Sequence, residues 1–166
     1  MRRSWIVLTL VALLAILAAA GAQVGAQQEV TFVAHLWGRE VVPTNPTRAT
    51  GVATFVVSAD GNSIRYELTV NNLNNVQMGH IHLAAPGANG PIVVWLYPPA
   101  PPPVLRPGVF SGQLAGGTIT AANLMGPLQG QPLSALITQM RNMNTYVNLH
   151  TTAFPAGEIR GQILLR

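Results

Sequence analysis

Apolar and polar residues alternate with period two along much of the chain. Val30, Phe32, Ala34 and Leu36 interleave with Thr31, Val33, His35 and Trp37, which predicts a strand over 30–37 with His35 at its surface or edge. Gly38 to Thr50, with Pro43 and Asn45-Pro46, reads as a loop. A β-rich run at 51–58, an Asp60-Gly61 turn, and Ile64, Tyr66, Leu68 and Val70 set against Arg65, Glu67, Thr69 and Asn71 predict a hairpin with one buried face. Asn72 to Gln77 reads as a polar connection, and 78–84 as a strand carrying His80, Ile81, His82 and Leu83. A loop at 85–91 follows, its glycines expected in turns with positive φ. Ile92 to Tyr97 is a continuous apolar run that suits a central strand. A Pro-rich loop is expected at 98–107 and a further strand at 109–114.

The period then changes. Leu133, Leu136, Ile137 and Met140 are spaced i, i+3, i+4, i+7, which predicts one short helix near 132–142. Alternation returns at 145–151 and 158–165. The expected fold is all-β: an immunoglobulin-like or Greek-key β-sandwich, or a flattened barrel, of about 7–8 antiparallel strands.

The N-terminus follows a different grammar. Arg2 and Arg3 precede an uncharged stretch from Trp5 to Ala20, and small-residue patterns end at Ala22 and Ala26. This is the order of a secretory signal peptide. A spanning helix needs about 20 apolar residues, and this stretch is slightly short. Residues 1–26 are therefore expected to be a signal, cleaved after Ala22 or Ala26. Residues 27–166 are expected to form a single domain, secreted or periplasmic, with no membrane span after cleavage.

Composition narrows the chemistry. The absence of cysteine removes disulfides, thiolate metal sites and cysteine nucleophiles. All nine basic residues are Arg, so P-loop and Schiff-base lysines are excluded. Nine basic less five acidic residues gives +4, and without Arg2 and Arg3 seven less five leaves +2. With no basic run, nothing marks a nucleic-acid partner. There is no Gly-x-Ser-x-Gly, and no Lys or helix start follows Gly87-Ala88-Asn89-Gly90 to make a phosphate cradle. Nothing points to nucleophilic catalysis; the enzyme question stays open and leans toward a non-enzyme.

The histidines are the remaining chemistry. His80 and His82 are two apart on a predicted strand and so leave one face. His150 lies on the polar side of its strand with Tyr146 and Asn148, and Glu158 and Arg160 lie on the polar side of the last. If these strands are neighbours, three imidazoles gather with a carboxylate and a guanidinium nearby. Imidazole suits copper, zinc or iron, and three His with an open position is a known catalytic zinc arrangement. The plain alternative is a polar outward face whose rings bond to loop carbonyls. Glu158 is read as the cross-strand ion partner of Arg160, or as a metal ligand or general base.

Two long segments carry a family resemblance. His80-Ile81-His82-Leu83-Ala84-Ala85-Pro86-Gly87-Ala88-Asn89-Gly90-Pro91-Ile92-Val93-Val94 resembles the central signature of the CHRD domain. So does Tyr146-Val147-Asn148-Leu149-His150-Thr151, followed by Pro155-Ala156-Gly157-Glu158-Ile159-Arg160-Gly161-Gln162-Ile163. Phe32-Val33-Ala34-His35-Leu36 and Glu40-Val41-Val42-Pro43 fit the start of that domain, and the likeness spans residues 29–166. The family is named for repeats in chordin, an extracellular antagonist of bone morphogenetic proteins, and occurs in secreted microbial proteins. The resemblance implies an immunoglobulin-type β-barrel and no settled catalytic role. The Arg-only, Ala-rich composition looks bacterial. The His-x-His strand is also similar locally to copper/zinc superoxide dismutases, whose disulfide cysteines and His/Asp-rich zinc loop are missing here.

Two readings stay open at this level. One is an exported, non-enzymatic CHRD module that binds a protein or surface ligand, its histidines structural. The other is a metal-handling or redox barrel in which His80, His82 and His150, with Glu158 or water, hold copper, zinc or iron. Converging imidazoles favour the second reading, and scattered rings with separate backbone partners favour the first.

Overall fold

The structure is a computed structural model that describes residues 29–166. The expected signal peptide at 1–26 lies outside the described residues. Among the described residues there are eight antiparallel strands: β1 (Val30–Trp37), β2 (Thr50–Val57), β3 (Ile64–Leu83), β4 (Ile92–Tyr97), β5 (Arg106–Ile119), β6 (Thr145–Thr151), β7 (Ile159–Gln162) and β8 (Leu164–Leu165). One helix, α1 (Leu133–Arg141), stands between β5 and β6. Pairing runs β2-β1-β7-β6-β3, and β3 also pairs β2, so five strands close a barrel. β4 and β5 add to β3, and β8 adds to β1. The all-β, flattened-barrel expectation holds, and closure chooses the barrel over the open sandwich.

Closure depends on the length of β3. Its first half, Ile64 to Asn71, pairs residue by residue with β2, and its second half, from Val76 to Leu83, pairs with β6. The sequence predicted two strands here, joined by a polar connection at 72–77. The structure has one 20-residue strand. Asn72 and Asn75 take φ of 56° and 53° at two of the three points where the β3–β5 register shifts. Asn tolerates this left-handed backbone, so each shift bends and twists the strand without ending it.

Two further boundaries differ. The Pro-rich loop expected at 98–107 ends sooner, because β5 starts at Arg106. Pro107 fits there because β5 is an edge strand that pairs only with β3, where a missing N–H breaks no second ladder. The last strand splits at Ile163, whose backbone N–H donates to the Thr145 carbonyl. The helix matches its expected position, and Leu133, Leu136 and Met140 bury its apolar stripe.

The core follows the alternation. Phe32, Ala34, Leu36, Phe55, Ile64, Leu68, Ile81, Val147, Leu149, Ile159 and Ile163 are buried in one cluster. β6 breaks the simple pattern, because all seven of its residues are buried. The side expected to face water with Tyr146, Asn148 and His150 is instead a second interior layer. It is covered by the loops at 85–91 and 153–157, which bond to it.

Leu68→Ala deletes a side chain with no exposed surface and is expected to lower the unfolding free energy by about 2–5 kcal/mol in urea titrations. Val109→Ala, at 66% exposure, is expected to stay within about 0.5 kcal/mol of wild type.

Candidate metal centre

The second interior layer positions the histidines. On β3, Ile81 points into the core, so His80 and His82 leave on the opposite side. On β6, Val147 and Leu149 do the same for Asn148 and His150. The register sets Met78 against His150, His80 against Asn148 and His82 against Tyr146. The three imidazoles thereby converge. Ring centroids are 5.6 Å apart for His80–His82, 5.2 Å for His80–His150 and 6.0 Å for His82–His150. One nitrogen from each ring lies within 4.8 Å of the other two. Three nitrogens about 2.0–2.1 Å from one trigonal ion are about 3.5 Å apart. Closing on an ion thus asks each ring to move inward by less than about 1 Å.

Two of the rings are oriented by backbone. His82 Nδ1–H donates to the Gly90 carbonyl and His150 Nδ1–H to the Pro155 carbonyl, both at 2.9 Å. Each bond fixes the tautomer and leaves Nε2 as a free lone pair. His82 Nε2 is buried with no protein partner. His150 Nε2 has only the Asn148 amide, at 3.4 Å, while that amide also donates to the Ala156 carbonyl at 3.1 Å. His80 is 0% exposed and has no hydrogen bond at either ring nitrogen. A buried polar atom left unpaired costs about 1–3 kcal/mol. His80 therefore marks a place where a partner is missing from the protein's own atoms.

Both covering loops depend on glycine. A Cβ on Gly90 would meet the Leu83 carbonyl, and one on Gly157, at φ +132°, would meet the Asn148 amide. Of the glycines expected in positive-φ turns, Gly87 is one, at φ +77°, whereas Gly90 is required for close approach.

Burial decides the protonation state. It pushes His80 down to about 3, helped by repulsion from His150 and His82. It pushes His82 down to about 4, with the Gly90 bond opposing and His150 and Arg160 assisting. It lowers His150 as well, against the Pro155 bond. All three are neutral at pH 7, the form in which imidazole binds a metal.

The remaining predicted residues go elsewhere. Glu158 stands outside the cluster. Its Oε1 accepts from Thr47 Oγ1 at 2.6 Å and its Oε2 from Thr151 Oγ1 at 2.5 Å. The expected Glu158–Arg160 ion pair does not form; among the described residues the ion pair is Arg39–Glu40, exposed and 3.6 Å long. The threonine hydroxyls hold the carboxylate first, and the Arg160 guanidinium turns to the 85–91 loop. It donates to the Ala88 carbonyl at 2.8 Å and to Asn89 Oδ1 at 3.1 Å, and lies 3.5 Å from the centre of the Tyr146 ring. His35 is exposed, as expected. Trp95 is an addition the sequence reading missed. It pairs with His80 across β3–β4, and the two rings meet edge to face at 4.2 Å. Its only signal was a position in an apolar run that fits a strand buried on both faces.

The family model of the CHRD domain matches residues 32–163. Searches of curated proteins and of solved structures give no match. No helix among the described residues is long and apolar enough to cross a membrane.

The lowered histidines make the metal-free protein acid-sensitive. Unfolded histidine takes up a proton near pH 6.5, while the folded rings resist until about 4 for His82 and about 3 for His80. The unfolded state binds more protons in that window, so stability is complete above pH 6.5 and falls as pH drops. The fall is expected to approach about 1.4 kcal/mol per pH unit for each such histidine. Urea titrations of metal-free protein at stepped pH are expected to show His80→Gln with a shallower slope.

Proposed function

The chain belongs to the CHRD domain family, and on that footing we propose that it is an exported, non-enzymatic module that holds one transition-metal ion between His80, His82 and His150. The carrying observation is His80, wholly buried and unpaired, its ring 5.6 Å from that of His82, whose Nε2 is also without a partner. A structural role accounts for His82 and His150 through their carbonyl bonds, and leaves His80 without a reason. Metal coordination accounts for all three. It also fits the Nδ1 bonds, since metal-binding histidines commonly donate their other nitrogen to a backbone carbonyl. Copper, zinc and iron all accept such a donor set.

Holding suits the site better than catalysis. Glu158, whose N–H donates to the Leu149 carbonyl of β6, has both carboxylate oxygens committed to threonine hydroxyls, so it does not stand as a free base beside the imidazoles. The signal-like N-terminus supports export to the periplasm or cell exterior, where a cysteine-free site is immune to thiol oxidation. N-terminal sequencing of the exported chain is expected to begin at Gln23 or Gln27; retention of Met1 would overturn export by cleavage.

The central test is elemental. Tag-free protein is expected to bind one metal ion per chain and to melt at higher temperature with it. His80→Ala, His82→Ala and His150→Ala are each expected to abolish stoichiometric binding. Glu158→Gln is expected to keep the metal and lose about 1–3 kcal/mol of stability. Sub-stoichiometric metal in the wild type would end this reading and leave the histidines structural.

A further inference from the structure

We propose that the ion this centre selects is monovalent copper, chosen by a ligand shell without negative charge and a guanidinium fixed beside it; this rests on the three-imidazole reading above. The first argument is the charge of the donors. Three neutral imidazoles bring none, and the ion keeps its full charge inside the protein. The cost of burying an ion grows with the square of its charge, so a divalent ion at this position is penalised about fourfold relative to a monovalent one. The rings are between 0% and 8% exposed, so water does little to relieve that cost.

The second argument is a neighbouring cation. β6 lies between β3 and β7, and Tyr146 of β6 sits between His82 and the β7 strand that carries Arg160. The phenol ring stacks on His82 at 4.9 Å and 10°, and Arg160 covers the ring at 3.5 Å. Bonds to Ala88 and Asn89 lock the guanidinium there. Arginine stays protonated in proteins. Glu40 favours the charged form of Arg160 from beyond ion-pair distance, and its ion pair is with Arg39. A second positive charge in the pocket therefore meets repulsion that grows with its valence.

The third argument is coordination number. Zinc in proteins is almost always four-coordinate, whereas three imidazoles alone satisfy a trigonal monovalent ion. The walls beyond them are the Trp95 and Tyr146 rings. One further donor is within the layer, the buried and unpaired Oδ1 of Asn148. It gives the opposing outcome a concrete form, a four-coordinate divalent site.

The experiment uses the full chain, titrated separately with copper(I) under anaerobic conditions, copper(II) and zinc(II), each against a competing chelator. Wild type is expected to bind copper(I) at least about 100-fold more tightly than copper(II). This raises the reduction potential of the bound couple above that of the free ion by about 120 mV, at 59 mV per decade. Arg160→Gln and, independently, Asn148→Asp are each expected to move selectivity about 10-fold toward the divalent ions, by removing a cation or adding an anion. Two variants are used because Arg160 also ties down the 85–91 loop. Tighter binding of zinc(II) or copper(II) than copper(I) overturns this inference and leaves the three-imidazole centre standing. Unchanged selectivity in both variants overturns the charge argument. Absence of binding by all three ions, and by iron(II) titrated in parallel, overturns the centre itself.

Discussion

Three uncharged imidazoles enclosed behind one face of a barrel are unfavourable unless something meets their lone pairs, and much of the surrounding architecture answers to that constraint. Two loops arch over the layer and offer the Gly90 and Pro155 carbonyls, one to His82 and one to His150. Those bonds turn the remaining nitrogens inward. Asn89 ties the first loop to the Val42 carbonyl, and Asn45 ties the second through the Gly157 and Glu158 carbonyls. The 38–50 segment, an ordinary loop by composition, is thus the outer brace of the site. His80 is left at the centre, where the protein brings no partner of its own.

The barrel makes that enclosure possible. A long bent β3 is shared between β2 and β6, so its two halves serve different ends of the fold. The first half builds a conventional sheet with one apolar face. The second half is flanked by β4 and β6 and buries both faces, one against the aliphatic core and one against the histidine layer. The same strand that completes the hydrogen-bonded ring therefore carries two of the three imidazoles. Stability and the candidate chemistry are linked through it, since a slip of one residue would exchange Ile81 for His80 in the core.

Charge is scarce near the centre, and its placement is selective. Glu158 accepts from two threonine hydroxyls, and the Thr47 bond ties it to the 38–50 segment. Arg160 is the charged group stacked into the histidine layer, through Tyr146. The outcome is a buried layer of neutral polar side chains walled by the Trp95 and Tyr146 rings, with the Arg160 cation over Tyr146. That environment suits neutral donors and works against protonated ones.

Local pattern carried most of the strands, the helix and the shared face of His80 and His82, because side-chain direction in a strand depends only on parity. Composition carried the exclusion of thiol and lysine chemistry. Parity could not reveal that Asn72 and Asn75 bend a strand instead of ending it, since a bulge and a turn draw on the same residues. It could not show that the Thr47 and Thr151 hydroxyls would capture Glu158, or that Trp95 would lie against His80 from a neighbouring strand. Those depend on cross-strand register and loop closure, which bring together residues up to more than a hundred positions apart, such as Thr47 and Glu158. The sequence by itself determined which residue types could meet. Tertiary structure decided that the imidazoles meet in a buried layer, because only barrel closure and the two covering loops exclude water from that side of β6.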